Sequence, residues 1–299
     1  MFYVAVARSE GQKSCIYFVY QLSMTIQAMI ISGKRSSLLP PKVTALKLFV
    51  AGSTLGPLVD SLHNQCLLTY DFAPIVLNLP HASHESPSPE HLFISSWAVP
   101  PLLGFAYIVL GFILPSIFES LVGHVETKNV SNGIPDTQDV LRTRAILAVS
   151  TTAAIIKLSE FLETHSGMSY QFNKYPVVLD ATTNIMIMMM ADVLQWMALD
   201  RTVVGLLAAT VTAVGGPLSE LPFIANGFWH YNTNAADYLP LGDITFQPGG
   251  YMDVLVSNVL GENYKELSLS AITGPCYFAV TLDAIALGKY FYQSNIKDS

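Results

Sequence analysis

Residues 93–118 read FISSWAVPPLLGFAYIVLGFILPSIF, a run without one charged side chain. About 20 mostly apolar residues cover the roughly 30 Å of a bilayer's hydrocarbon, so this run is long enough to cross one as a helix. Five further stretches meet the same measure: Val43 to Leu68, Ala145 to Leu162, Val177 to Leu199, Val203 to Trp229 and Leu267 to Leu287. The whole chain agrees with them. Of its 299 residues 51% are hydrophobic and 12% charged, with a mean hydropathy of +0.42. Soluble domains carry about 25% charged residues to solvate their surface, so half that share excludes a soluble globule. High apolar content likewise excludes disorder. A net charge of −7 leaves no basic field for nucleic acid. The fold class expected is all-α, a polytopic membrane protein with a six-helix bundle.

Orientation follows from where lysine and arginine fall. Eleven of the 15 basic residues lie on one face: before the first span, between spans two and three and between four and five, and in the tail. The opposite face has Lys174 and Lys265, while Lys47 and Lys157 lie inside spans. Both termini are therefore expected on the cytosolic, or equivalent, face. Residues 1–42, with the Gln- and Ser-rich stretch Ile16 to Ile31, read as an amphipathic or targeting segment. Residues 43–292 form the membrane domain, with a long extramembrane insertion at 231–266, and 293–299 form a tail.

Chemistry inside the spans is sparse. Cys15, Cys66 and Cys276 have no CxxC or Cys/His spacing, so neither a disulfide framework nor a zinc site is encoded. No GxSxG, HExxH, P-loop or GxGxxG stands in a usable context, and a non-enzymatic protein is expected. Histidines in the loop HASHESPSPEH (residues 81–91) have ligand-like types without ligand geometry. His63, near a span end, reads as an interfacial hydrogen-bonder or as a ligand to chlorophyll. Span two begins with Pro100-Pro101 and carries Gly104 and Gly111, where another helix can approach closely. Gly215-Gly216-Pro217 and Pro222 predict an interrupted fifth span beside Glu220. In span four, Asp180, Asn184, Met188, Asp192, Trp196 and Asp200 recur every fourth residue and form one ridge. A carboxylate in hydrocarbon costs several kcal/mol unless paired or wet, so the ridge faces inward. Candidate partners are Lys157, Glu160, Asp60, Glu220 and Asp283. The ridge fits a satisfied polar core or the wall of a lipid cavity, with Met186 to Met190 lining the apolar part.

These residues, taken in order, resemble the insulin-induced-gene (INSIG) family. Ser95-Ser96-Trp97 and Pro100-Pro101-x2-Gly104-x6-Gly111-x3-Pro115 are similar to that family's second span. Trp196-x3-Asp200-Arg201-x3-Gly205 is similar to its element between spans four and five, and Asn226-Gly227-x3-Tyr231, Pro275-Cys276 and Gly288-Lys289 follow in order. The Trp229-His230-Tyr231 wording and the long insertion resemble members from photosynthetic lineages. The resemblance implies a helical bundle that binds a lipid, a sterol or diacylglycerol, and grips a membrane protein of the sterol-sensing-domain type in the endoplasmic reticulum. It places Trp196 beside the lipid pocket, Thr183 or Asn184 where the family has a glutamine, and Asp200, with Arg201, at the partner. Asp192 and Trp97 complete the expected lipid-binding set. The alternative expectation is a structural subunit of a photosystem or antenna complex in the thylakoid, with chlorophyll or carotenoid contacts.

Overall fold

A computed structural model describes residues 39–78, 91–122, 137–172, 175–199, 201–238, 247, 249–261 and 263–297. Among these, six long helices occur: α1 (Lys42–Leu67), α2 (Val99–Val122), α3 (Gln138–Thr164), α4 (Ala181–Leu199), α5 (Val203–Ala225) and α7 (Thr273–Lys297), with a short α6 (Tyr251–Leu260) before the last. Four are long and apolar enough to cross a membrane: α1 over Lys42–His63, then α2, α3 and α5. The stretch Ile16 to Ile31 and Asp200 lie outside the described residues.

Helix α7 is the axis of the bundle. It packs against α1, α2, α3, α4 and α5 and is buried on nearly every side from Ile272 to Leu287. Small residues set its close approaches. A Cβ at Gly288 would collide with the carbonyl of Gly111, and one at Gly274 would lie 2.9 Å from the carbonyl of Ala213. Where α2 meets α7, residues Val109–Ile113 widen into a π-turn. Pro115 has no N–H for the Gly111 carbonyl four residues back, and a wider turn relieves the clash its ring would make there. Gly104 fits against Phe49 and Ser53 of α1. The glycines of the second span thus do what their size suggests.

Several expected boundaries move for identifiable reasons. Residues 93–96 are strand rather than helix, and α2 starts only at Val99. Pro100 and Pro101 occupy its first turn, where missing N–H groups leave no carbonyl unpaired. Helix α4 starts at Ala181 because Asp180 accepts the N–H of Thr183 at 2.7 Å. The interruption expected in the fifth span is absent: α5 runs unbroken from Val203 to Ala225 through Pro217 and Pro222. The carbonyl of Ala213, deprived of its donor by Pro217, faces Gly274 of α7.

Three two-stranded antiparallel ribbons sit at one end of the bundle, where α1, α3 and α5 finish and α2, α4 and α7 begin. They pair β1 (Leu68–Tyr70) with β6 (Trp229–Tyr231), β2 (Pro74–Asn78) with β3 (His91–Ser96), and β4 (Ser169–Phe172) with β5 (Tyr175–Val178). The first ribbon joins the end of α1 to the segment after α5 in the register Leu68 to Tyr231 and Tyr70 to Trp229. Its period of two turns Leu68, Tyr70, Trp229 and Tyr231 inward, onto a cluster with Val99, Leu221, Tyr264 and Leu269.

Candidate functional site: a cavity with an acidic lining

Under that ribbon lies a cavity of about 110 Å³ between α1, α2, α5 and α7. One water needs about 10–15 Å³ measured in the same way, so the space holds a ligand group or several waters. Gly56, Val59, Leu102, Leu103, Ile156 and Val280 form its apolar wall. Asp60, His63, Tyr70, Glu220, Tyr231, Thr273, Cys276 and Tyr277 supply its polar lining, and among the described residues no lysine or arginine lines it. Beyond the cavity α2 and α5 touch at their far ends, where Phe118 packs on Ala208.

Glu220 organises the polar wall. Its Oε2 accepts the Tyr231 hydroxyl at 2.7 Å and the Trp229 indole N–H at 3.4 Å, and its Oε1 accepts the Tyr277 hydroxyl at 2.9 Å. Tyr231 also meets Thr273 Oγ1 at 3.1 Å. Asp60 accepts the Tyr70 hydroxyl. His63 Nδ1 lies 2.6 Å from Ser159 Oγ. That hydroxyl gives its own hydrogen to the Ile156 carbonyl, so the histidine is the donor. Deeper still, Tyr107 donates to Asp283 of α7 at 2.8 Å. Buried polar groups are tolerated only with partners, and here hydroxyls and an indole supply them instead of cations.

The expected lipid-binding residues are not gathered around this cavity. Trp97 stands at the start of α2 with 71% of its surface exposed. Thr183 lies in the first turn of α4. Asn184 is buried and donates to the Leu162 carbonyl at 3.2 Å. Asp192 is buried between α4 and its neighbours, and its Oδ1 has no hydrogen-bond partner among the described residues. Trp196 is at the opposite end of the bundle, against Leu199, Ala209 and Phe278. Of the partners considered for these acids, Lys157 pairs with Glu160, Asp60 bonds Tyr70, Glu220 bonds Tyr231 and Tyr277, and Asp283 bonds Tyr107.

The ridge itself is half right. Asn184, Met188 and Asp192 face inward, but the buried line continues through Gln195 and Leu199 rather than Trp196. Steps of four residues overshoot a 3.6-residue turn, so a step of three restores the face. Gln195, absent from the expected set, donates to Thr152 Oγ1 at 2.8 Å and Thr151 Oγ1 at 3.1 Å.

Trp196, Arg201, Thr202 and Gly205 form a helix junction. The Trp196 indole donates to the Thr202 carbonyl at 2.9 Å, and Arg201 takes φ of +54° to end α4. The Arg201 guanidinium bonds the Met197 carbonyl at 2.8 Å. Thr202 caps α5 by accepting the N–H of Gly205 at 3.0 Å. No group of three or more His, Cys, Asp or Glu suited to a metal occurs among the described residues.

The family model for insulin-induced protein (INSIG) matches residues 43–256. Among solved structures the fold is similar to the cross-linked trimer of MvINS, the mycobacterial Insig homolog of Mycobacterium vanbaalenii. Identity is 16%, the TM-score 0.50, and the match covers 84% of this chain and 95% of that one. A second crystal structure of MvINS matches at 16% identity and TM-score 0.49 over 84% and 94%. No curated protein matches the sequence. The family match spans α1 through most of α6, and with four helices apolar enough for a membrane, the chain belongs to the INSIG family of integral membrane regulatory proteins.

Proposed function

We propose that this protein holds a neutral, hydroxyl-bearing lipid in the cavity beneath the β1–β6 ribbon and uses occupancy to regulate or retain another integral membrane protein. The observation that carries this reading is the lining: apolar side chains from α1, α2, α3 and α7 share the cavity with two carboxylates bonded by tyrosines, and among the described residues no lysine or arginine joins them. Carboxylates take hydroxyl donors and repel phosphate, so a sterol or diacylglycerol fits where an anionic lipid does not. Cavities of this kind orient a largely apolar ligand by a few convergent polar groups.

In this reading all six long helices span, with both termini on the face where lysine and arginine concentrate. Lys47 supports it, binding Asn295 at 2.7 Å and Ser294 at 3.2 Å at the shared end of α1 and α7. The partner meets the outer face of α4, where Met186, Met190 and Leu194 are more than 60% exposed and the Arg201 junction begins. Methionine-rich faces adapt to helices of varied shape. Family membership supports the endoplasmic reticulum as the location.

Native mass spectrometry of the purified protein tests the cavity. Val280→Trp, which fills it, should abolish the bound lipid, whereas Trp196→Ala, at the far junction, should leave it in place. Retention of the same lipid by Val280→Trp overturns the reading.

A further inference from the structure

Helix α6 has two apolar faces, and among the described residues only one is covered. Val256 and Leu260 rest on the ribbon cluster beside Phe223 and Ile224, the last turn of α5. Tyr251, Met252, Leu255 and Val259 are 81%, 48%, 44% and 60% exposed. At 100° per residue these four fall within an arc of about 100°, a contiguous stripe rather than scattered side chains. Asp253 and Ser257 lie on the opposite side of the helix from it. Asp253, the helix's one charge, is already engaged by the Gly249 N–H at 2.9 Å and the Tyr264 hydroxyl at 2.7 Å.

We infer that α6 is a membrane-surface anchor whose exposed stripe lies in the interfacial layer of the bilayer. Its height fixes the occupant. Docked on the last turn of α5, an apolar helix ending at Ala225, α6 sits where that helix leaves the hydrocarbon. Other exposed rings mark the same end of the bundle: Trp97 (71%), Phe72 (52%) and Tyr170 (42%). Exposed Trp and Tyr rings at one level form an interfacial belt, and Tyr251 extends it along α6. Without lysine or arginine, α6 has no attraction to anionic lipid in particular, so apolar burial holds it in a zwitterionic surface. The anchor rests only on α5 crossing the membrane and is independent of what fills the cavity. Because Val256 and Leu260 share a cluster with Trp229 and Tyr231, the helix joins the bilayer surface to the cavity roof.

The test uses the full chain in phosphatidylcholine vesicles, with Cys15 and Cys66 replaced by serine and Cys276 left buried. Val259→Cys, Leu255→Cys and Ser257→Cys are each labelled with bimane and exposed to brominated phosphatidylcholine or aqueous iodide. Positions 259 and 255 should lose fluorescence to the bromolipid and resist iodide, and 257 should do the reverse. Iodide quenching at 259 and 255 without bromolipid quenching puts the stripe in water and overturns the anchor. Protection from both quenchers puts it against protein and overturns it equally. Tight vesicle binding of the lipid in the cavity would change neither pattern.

Discussion

Replacing Tyr231 by Phe removes one oxygen and tests whether the polar wall is a mutually dependent network. That oxygen donates to Glu220 at 2.7 Å and meets Thr273 at 3.1 Å, with Tyr231 and Glu220 each 7% exposed. A buried hydrogen bond to a charged group is worth about 1.5–3 kcal/mol. Glu220 keeps Tyr277 at 2.9 Å, so the loss should fall near the lower half of that range, about 2 kcal/mol. Tyr277→Phe should cost a similar amount. Together they leave Glu220 only the Trp229 contact at 3.4 Å, beyond the usual N–H···O range. An acid stripped of its partners costs about 3–5 kcal/mol, so the double variant should equal or exceed the sum of the singles. Adding Glu220→Leu to both phenylalanines should recover much of the loss, since the carboxylate goes with its two hydroxyl donors and only the weak Trp229 contact and the Thr273 hydroxyl lose a partner. Thermal unfolding followed by exposure of Cys276, which is buried and lines the cavity, reads all four proteins. Single losses within about 0.5 kcal/mol of wild type, the range of inert surface changes, refute the network. So does a triple variant no more stable than the double.

Further expectations concern the rest of the bundle. Gly288→Ala should destabilise by about 1–3 kcal/mol through collision with the Gly111 carbonyl, read by thermal unfolding, whereas Gly215→Ala, with open space around it, should not. Trp196→Phe should cost about 1 kcal/mol by removing the indole donor from the Thr202 carbonyl, which keeps the Leu206 N–H at 3.0 Å, and protease should then cut at residues 200–202. The Tyr264 hydroxyl, and then the Gly249 N–H, hold the Asp253 carboxyl below the usual aspartate range. A depressed value means the contribution is present above the ordinary aspartate pKa and is lost as pH falls through the lowered one. The protection of α6 amides against hydrogen exchange, relative to an unstructured chain at the same pH, should therefore stay constant from neutral pH down to that of an ordinary aspartate and fall only in stronger acid, while Asp253→Asn should lower it at neutral pH.

The long helices are legible as apolar runs, four of them long and apolar enough to cross a membrane, and the small residues at Gly104 and Gly111 announce their contacts. Their ends are less so. Phe93 to Ser96 is apolar enough to extend a helix, yet the ribbon with β2 claims it, a pairing that hydropathy does not register. The ribbon β1–β6 escapes for a stronger reason: three-residue strands some 160 residues apart carry no local signal beyond the alternation in Leu68-Thr69-Tyr70 and Trp229-His230-Tyr231. Trp229 and Tyr231 read as interfacial anchors, whereas they close a cavity. Asp192 and Trp196 stand out in sequence as polar or aromatic among apolar neighbours. Glu220 is as conspicuous, but only tertiary structure brings Tyr231 and Tyr277 to it.

The roof over the cavity is clasped by main-chain bonds, including Asn232 N–H to the Leu67 carbonyl at 2.8 Å and Asp71 N–H to the Phe228 carbonyl at 3.0 Å. Such bonds do not depend on side-chain identity. The cavity's lining can thus drift, and its ligand preference with it, while the ribbon stays in place; only residues that break backbone pairing, proline above all, would release it. Retuning for a new lipid and losing the vessel are therefore separate events in this architecture, reached through different classes of substitution.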